Sequence, residues 1–138
     1  MNKRPYVGVA VIIVRDRKVL LGKRKSGHGS GSWQFPGGHL EFKEDIKTCA
    51  IREVLEEAGI CIKNIRIGTY TNDIFESENM HYVTLFVIAE YDTGEAEARE
   101  PDKCEQWGWF EPNCLPEPLF LPVQNLLKSH PDLERILF

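Results

Sequence analysis

The sequence predicts an α/β fold built on a mixed sheet. Three observations point to it. Residues 6–14 form a Val- and Ile-rich run with the texture of a buried strand. Residues 44–58 are rich in helix formers and contain no Gly or Pro. Further strand-like runs lie on both sides of that helical segment. The 138 residues set the scale of one domain, 1–138. With 42% apolar and 28% charged residues, the composition is that of a globular protein with an ordinary core.

The elements follow in order. Residues 6–14 give the first strand, Arg15, Asp16 and Arg17 a polar turn, and residues 18–25 the return strand of a hairpin. Residues 26–32 alternate Ser or His with Gly and read as a flexible loop. Residues 33–35 are short and extended, because Phe35 precedes Pro36. Gly37 and Gly38 then interrupt the chain. The helix over 44–58 stops at Gly59. Residues 60–75 hold one or two strands, and residues 81–91 another. Residues 92–103 are acidic and turn-like, a solvated loop. Residues 105–111 form a short aromatic strand, residues 112–118 a proline-rich connection, and residues 121–129 a second helix.

Charge and cysteine usage exclude several classes. Seventeen Lys and Arg against 21 Asp and Glu leave a formal charge of −4. A general binder of nucleic-acid polymers needs a basic face, which this balance does not supply. A small phosphate ligand stays open, because a divalent cation can sit between carboxylates and phosphate. The uncharged apolar run at 6–14 is far too short to span a membrane. Asp16 and Arg17 interrupt the hydrophobic region that a signal peptide would need. Cys49, Cys61, Cys104 and Cys114 form no C-x-x-C pair and have no His at zinc-finger spacing. They read as small buried apolar side chains in a reducing compartment, so the expected location is the cytoplasm.

The helix over 44–58 carries the chemistry. At 3.6 residues per turn, Glu53, Glu56 and Glu57 share an arc of about 100°. Val54, Ala58, Ile51 and Leu55 fall on the face expected to meet the core. The acidic stripe is locally unfavourable, since like charges three and four residues apart repel and the last turn of a helix prefers cations. Arg52 offsets part of this through its i,i+4 relation to Glu56. A solvated acidic face is the plain alternative; the break with local rules points instead to a bound cation. Oxygen ligands favour Mg²⁺ or Mn²⁺ over Zn²⁺.

Residues 38–60 read G-HLEFK-E-DIKTCAI-R-E-V-L-E-E-A-G-I. This resembles the box of the Nudix hydrolases, G-x5-E-x7-R-E-U-x-E-E-x-G-U with U aliphatic. Every defined position is met: Gly38, Glu44, Arg52, Glu53, Val54, Glu56, Glu57, Gly59 and Ile60. Outside the box, VLLGKRK at 19–25, PGGHLEF at 36–42, HYVT at 81–84, Glu100-Pro101 with Glu105 and Trp107, and residues 118–120 are similar to the MutT-homologue branch, of the mammalian MutT homologue 2 type. The resemblance covers nearly the whole chain. It implies the Nudix fold, an α/β/α sandwich around a mixed sheet.

It also implies roles for residues. Glu53, Glu56 and Glu57 match the cation-holding positions, and Glu53 is the first choice to deprotonate the attacking water. Arg52 orients these carboxylates and Glu44 supports them. Gly37 and Gly38 match a loop that brings backbone to the metal, with the Gly38 carbonyl a candidate ligand. Glu105 is a further candidate metal ligand. Lys23 and Arg24 are candidates for phosphate contact. His39 and His81 could each act as a general base but read first as packing or substrate-contact residues, with His81 the candidate substrate contact. Trp33, Phe35, Trp107 and Trp109 read first as core, with base stacking as the alternative. His28 carries no assigned role.

The implied activity is Mg²⁺-dependent hydrolysis of nucleoside triphosphates to monophosphate and pyrophosphate, sanitising modified nucleotides or adjusting dNTP or CTP pools. The same chemistry on a nucleotide sugar, NADH, dihydroneopterin triphosphate or a prenyl diphosphate is the alternative, and a catalytically silent nucleotide-binding regulator is a third reading. A homodimer is expected. The box leaves no group free to read a base, so recognition should fall to residues 26–33, 72–80 and 114–121.

Overall fold

The computed structural model describes residues 3–138. The chain runs β1 (Tyr6–Arg15), β2 (Lys18–Arg24), β3 (Trp33–Gln34), β4 (Gly37–His39), α1 (Ile46–Ala58), β5 (Cys61–Phe75), β6 (Met80–Thr93), β7 (Cys104–Phe110), α2 (Leu121–Ser129) and α3 (Glu134–Leu137). The seven strands form one mixed sheet in the order β3-β2-β1-β6-β5, with β4 on β1 and β7 on β2. β1 and β6 are parallel from Tyr6 opposite Tyr82 to Val14 opposite Glu90.

The β1–β2 hairpin turns through Asp16 and Arg17, at φ 51° and 61°. Two consecutive positive φ values match the twist of a tight hairpin. The two strands pair only next to this turn, at Val14 with Val19 and Arg15 with Lys18. Beyond it they part, and residues 33–39 enter between them: β3 pairs with β2, and β4 pairs with β1. The Val11 amide donates to the Pro36 carbonyl at 2.8 Å inside this insertion. Gly37 lies so close to β1 that a Cβ there would be 1.9 Å from the Val9 carbonyl oxygen.

Alternation along β1 feeds two cores. Val9, Val11 and Ile13 meet α1 through Cys49, Ala50, Val54 and Ala58. Ile12, with Val19 and Phe86 from neighbouring strands, meets Val123 and Leu126 of α2. Helices therefore cover both faces of the sheet, as the α/β/α expectation requires.

α1 starts at Ile46, two residues later than the composition indicates. The Asp45 carboxylate caps it, accepting from the Lys47 amide at 3.1 Å, and Gly59 ends it at φ 74°. Its burial phase also corrects the sequence. Ile51 and Leu55 are 47% and 45% exposed, while Cys49, Ala50 and Glu57 are buried. Small side chains at 49, 50 and 58 bring the helix close to the sheet, and the buried arc overlaps the acidic stripe. Residues 61–75 are one strand with irregular register between Lys63 and Arg66 and between Ile67 and Tyr70. The single turn of α3 left no readable signal. Residues 92–103 are not wholly solvated: β6 runs to Thr93, and Glu100 and Lys103 line a cavity.

Gly37→Ala should cost about 3 kcal/mol or more, because its Cβ meets backbone that cannot move independently. Urea unfolding checks this, and a midpoint within error of wild type would show that β4 can shift freely.

Candidate active site

A cavity of about 530 Å³ lies over β1 and β4 beside the C-terminal half of α1. Gly37, Gly38, Glu53, Glu57 and Glu100 line one part of it; His28, Phe75, Tyr82 and Phe120 line another, with Arg24 and Gln34 also on its wall.

Arg52 organises the acids. Its Nε and Nη2 donate to both Glu44 oxygens at 2.9 and 3.0 Å, a two-point contact. Its Nη1 donates to Glu53 Oε1 at 2.6 Å and to Glu56 Oε2 at 3.4 Å. The guanidinium and the Glu41 amide hold the Glu44 carboxyl down at about 2. The same ion pairs raise Arg52 above its ordinary value. Glu53 is thereby pressed against β4, where a Cβ on Gly38 would stand 2.2 Å from its carboxyl carbon.

Glu57 is in a different position. It is only 7% exposed, and among the described residues its one hydrogen bond comes from the Gly37 amide, 3.2 Å from Oε2. Burial pushes its carboxyl up to about 8; the Gly37 amide opposes this, while Glu53 and Glu100 add to it. Burial also raises Glu53, against the pull of Arg52. Arg24 is lowered by burial and held by the Gln34 side chain at 2.7 Å and the His28 carbonyl at 2.9 Å. A buried carboxylate without a cation is expensive.

Among the described residues, no three His, Cys, Asp or Glu side chains are gathered into a ready cage. Glu56 is 55% exposed and turned to Arg52. The donor chemistry nonetheless fits a hard divalent cation. The Glu53 and Glu57 carboxylates are oxygen donors on one wall beside Gly38, and the charge of the buried Glu57 is offset by a single amide hydrogen bond and the nearby Arg24.

The structure thus brings Glu53, Glu57, Gly37, Gly38 and Arg24 to one cavity, with Arg52 behind them; Glu56, expected to hold the cation, is not in its lining and turns to Arg52 instead. Glu105 and Lys23 are not brought there. They pair with each other at 3.7 Å across β7 and β2, and the acid that enters the cavity is Glu100. His81 is also outside the lining and bonds Asn72 Oδ1 at 2.6 Å. His39 lines the cavity and bonds the Tyr82 hydroxyl at 3.2 Å. Trp33, Phe35, Trp107 and Trp109 pack in or against the cores. Of these four, Phe35 also lines the cavity. Further rings join it there: His28 lies 4.7 Å from Phe75 and 5.5 Å from Phe120. Arg24 sits 4.2 Å over the Phe120 ring. His28, Phe75 and Phe120 come one each from the three segments expected to carry recognition, and Phe120 also from the stretch that carries the resemblance at 118–120.

The family model of the NUDIX domain matches residues 4–129. The ADP-ribose pyrophosphatase of Methanocaldococcus jannaschii is 31% identical over 128 residues, 91% of this chain and 73% of that protein. The oxidized purine nucleoside triphosphate hydrolase of Danio rerio is 32% identical over 107 residues, 77% of this chain and 66% of that protein. The crystal structure of a MutT NUDIX hydrolase from Burkholderia pseudomallei superposes with a TM-score of 0.85 and 33% identity, covering 91% of this chain and 98% of that one.

Glu57→Gln should stabilise the metal-free protein at pH 8 by about 1–3 kcal/mol. The folded carboxyl lies near 8 against an ordinary 4.5, so between these values the folded state binds the extra proton. Wild-type stability therefore falls as pH rises through that window, and the gain shrinks toward pH 4.5. Thermal melts in EDTA at pH 5 and pH 8 check it. Equal or lower stability of the variant at pH 8 contradicts the unpaired buried charge.

Proposed function

The chain belongs to the NUDIX family, and we propose that it is a Mg²⁺-dependent nucleoside triphosphate diphosphatase releasing monophosphate and pyrophosphate. The observation that carries this reading is one cavity with carboxylates in one part and aromatic rings in another. A charged phosphate chain and a flat base each find a matching surface there.

Glu53 and Glu57 would hold the cation, with the Gly38 carbonyl and Glu56 as further donors and Glu100 close by. When bound, Mg²⁺ offsets phosphate charge and makes a water molecule more acidic. Glu53 accepts the proton of the attacking water, since Arg52 fixes one of its oxygens and leaves the carboxylate beside the cavity. Arg52 and Glu44 hold that oxygen in place throughout. Arg24, anchored by Gln34 and the His28 carbonyl, faces the phosphates with its charge already oriented. Positioning and charge do most of the work in such reactions.

The likeness to an ADP-ribose pyrophosphatase over 91% of the chain supports a second reading, the same cleavage on a dinucleotide-like diphosphate. A silent regulator is disfavoured, because a sensor has no need to keep Glu53 and Glu57 at a costly buried site. Cys49 and Cys104 are buried as expected, whereas Cys61 and Cys114 are exposed; four free thiols suit a reducing compartment such as the cytoplasm. No described helix is long and apolar enough to cross a membrane. A homodimer is part of the proposal. Among the described residues β5 pairs only with β6, and Ile67, Tyr70 and Ile74 along it are 50–66% exposed, an open edge that a second copy would cover.

With Mg²⁺, nucleoside triphosphates should exceed ADP-ribose in kcat/KM. EDTA should abolish turnover, and Glu53→Gln should cut kcat about 10²-fold or more. Turnover that survives exhaustive chelation refutes the mechanism, and a preference for ADP-ribose selects the second reading.

Sedimentation should give twice the 15.8 kDa chain mass, and Tyr70→Lys with Ile74→Lys should return the monomer. A wild-type monomer at working concentration rejects the dimer.

A further inference from the structure

Asp73 is fully buried, on β5, beneath the aromatic part of the cavity. Its Oδ2 accepts from the hydroxyls of Thr84 at 2.5 Å and Thr71 at 3.1 Å. Its Oδ1 accepts from the Asn125 amide on α2 at 2.9 Å. A carboxylate offers only acceptors, so each of these partners must donate. Thr84 has one hydroxyl hydrogen, and Asp73 takes it. What remains on Thr84 Oγ1 is lone pairs.

Thr84 is 6% exposed and lines the cavity from β6, on the same strand face as Tyr82 and Phe86. Gly8 of β1 lies beside it. A Cβ on Gly8 would stand 3.8 Å from Thr84 Oγ1 and 3.9 Å from the Gly38 carbonyl oxygen, so Gly8 leaves the space between these two oxygens open. An acceptor backed by a buried carboxylate repels phosphate oxygens. This part of the cavity therefore suits the neutral, ring-bearing portion of a substrate, and within it a group that donates.

We propose that Thr84 is a specificity-determining residue whose hydroxyl, locked as an acceptor by Asp73, selects a nucleobase presenting an N–H donor. Asp73 is a positioning residue, acting through Thr84. The assignment rests on the nucleotide reading of the cavity given above. It adds a polarity to that reading: bases with a donor edge are favoured, and those lacking it leave a buried acceptor unpaired.

The test uses three pairs of purine nucleotides, each differing by one N–H-bearing donor group. They are dGTP with dITP, dATP with purine deoxyriboside triphosphate, and dITP with its N1-methyl analogue. For each pair, kcat/KM is measured on the triphosphates with Mg²⁺, and Kd on the corresponding monophosphates. At least one pair should favour the donor-bearing member about tenfold or more in the wild-type protein. Thr84→Val, similar in shape but without the oxygen, should bring that ratio near one. Thr84→Ser, which keeps the hydroxyl, should preserve it. Ratios near one in all three wild-type pairs overturn the proposal, and that result does not depend on any variant folding. A ratio that Thr84→Val leaves intact overturns it as well. Failure to hydrolyse any triphosphate instead overturns the triphosphate reading, and the monophosphate ratios still decide the role of Thr84. If none of the monophosphates binds, both fall.

Discussion

The hydrogen bond from the Gly37 amide to Glu57 ties β4 to the helix that bears the acids, beside the longer contacts that Cys49 and Arg52 make to the His39 carbonyl. Much of the site depends on how closely those two chain segments approach. β4 enters the gap where β1 and β2 part, and there is room for it only because Gly37 has no side chain to meet the Val9 carbonyl. Gly38 makes the same allowance for Glu53 one residue later. The small residues Cys49, Ala50 and Ala58 let α1 settle onto the sheet from the other side. The two approaches together carry Glu57 below the surface and place it beside the backbone of β4.

That burial is costly, and Arg52 limits how far the cost spreads. One guanidinium meets Glu44, Glu53 and Glu56, so most of the acidic charge is balanced at the helix surface. Glu57 is left outside this arrangement, on the cavity side. Three carboxylates sharing one arginine, with Glu56 exposed and Glu44 and Glu53 half-buried, form a charge network that largely balances itself. A fourth carboxylate buried next to them is not explained by stability. It is a local inconsistency of the kind that marks a functional site, where folding free energy is given up for a preorganised charge.

Much of this was legible in the sequence, for physical reasons that vary by residue. The helix and its stop were readable because Gly59 at positive φ is the standard way to end a helix. The box spacing placed Glu53, Glu57 and Gly38 together because they share two short, regular elements. Periodicity alone could not say which side of α1 faces the sheet. Ile51 and Leu55 are the more apolar residues, yet the smaller side chains at 49, 50 and 58 permit closer contact and take the buried side. Glu105 and Glu100 were indistinguishable by chemistry. The turn over residues 100–103 decides between them, sending Glu100 to the cavity while β7 carries Glu105 into a pair with Lys23. Among the aromatics, Trp107 and Trp109 sit on a strand and pack into the sheet, whereas Phe75 and Phe120 sit at element ends where the chain can aim them elsewhere.

The division of labour follows from the same geometry. The carboxylates and glycines sit on α1 and β4, elements fixed by backbone pairing and a capped helix, so the reacting part of the cavity has little freedom. The rings come from three separate loops or strand ends, and stacking accepts any flat partner. Rigid chemistry joined to an adaptable ring wall is an arrangement in which one scaffold can serve several bases. Thr84 belongs to neither group. It lies inside the sheet, its hydrogen is committed to Asp73, and it cannot turn to suit a different partner as a loop hydroxyl could. Within the ring-lined part of the cavity, it is this fixed oxygen that gives the wall a preferred polarity.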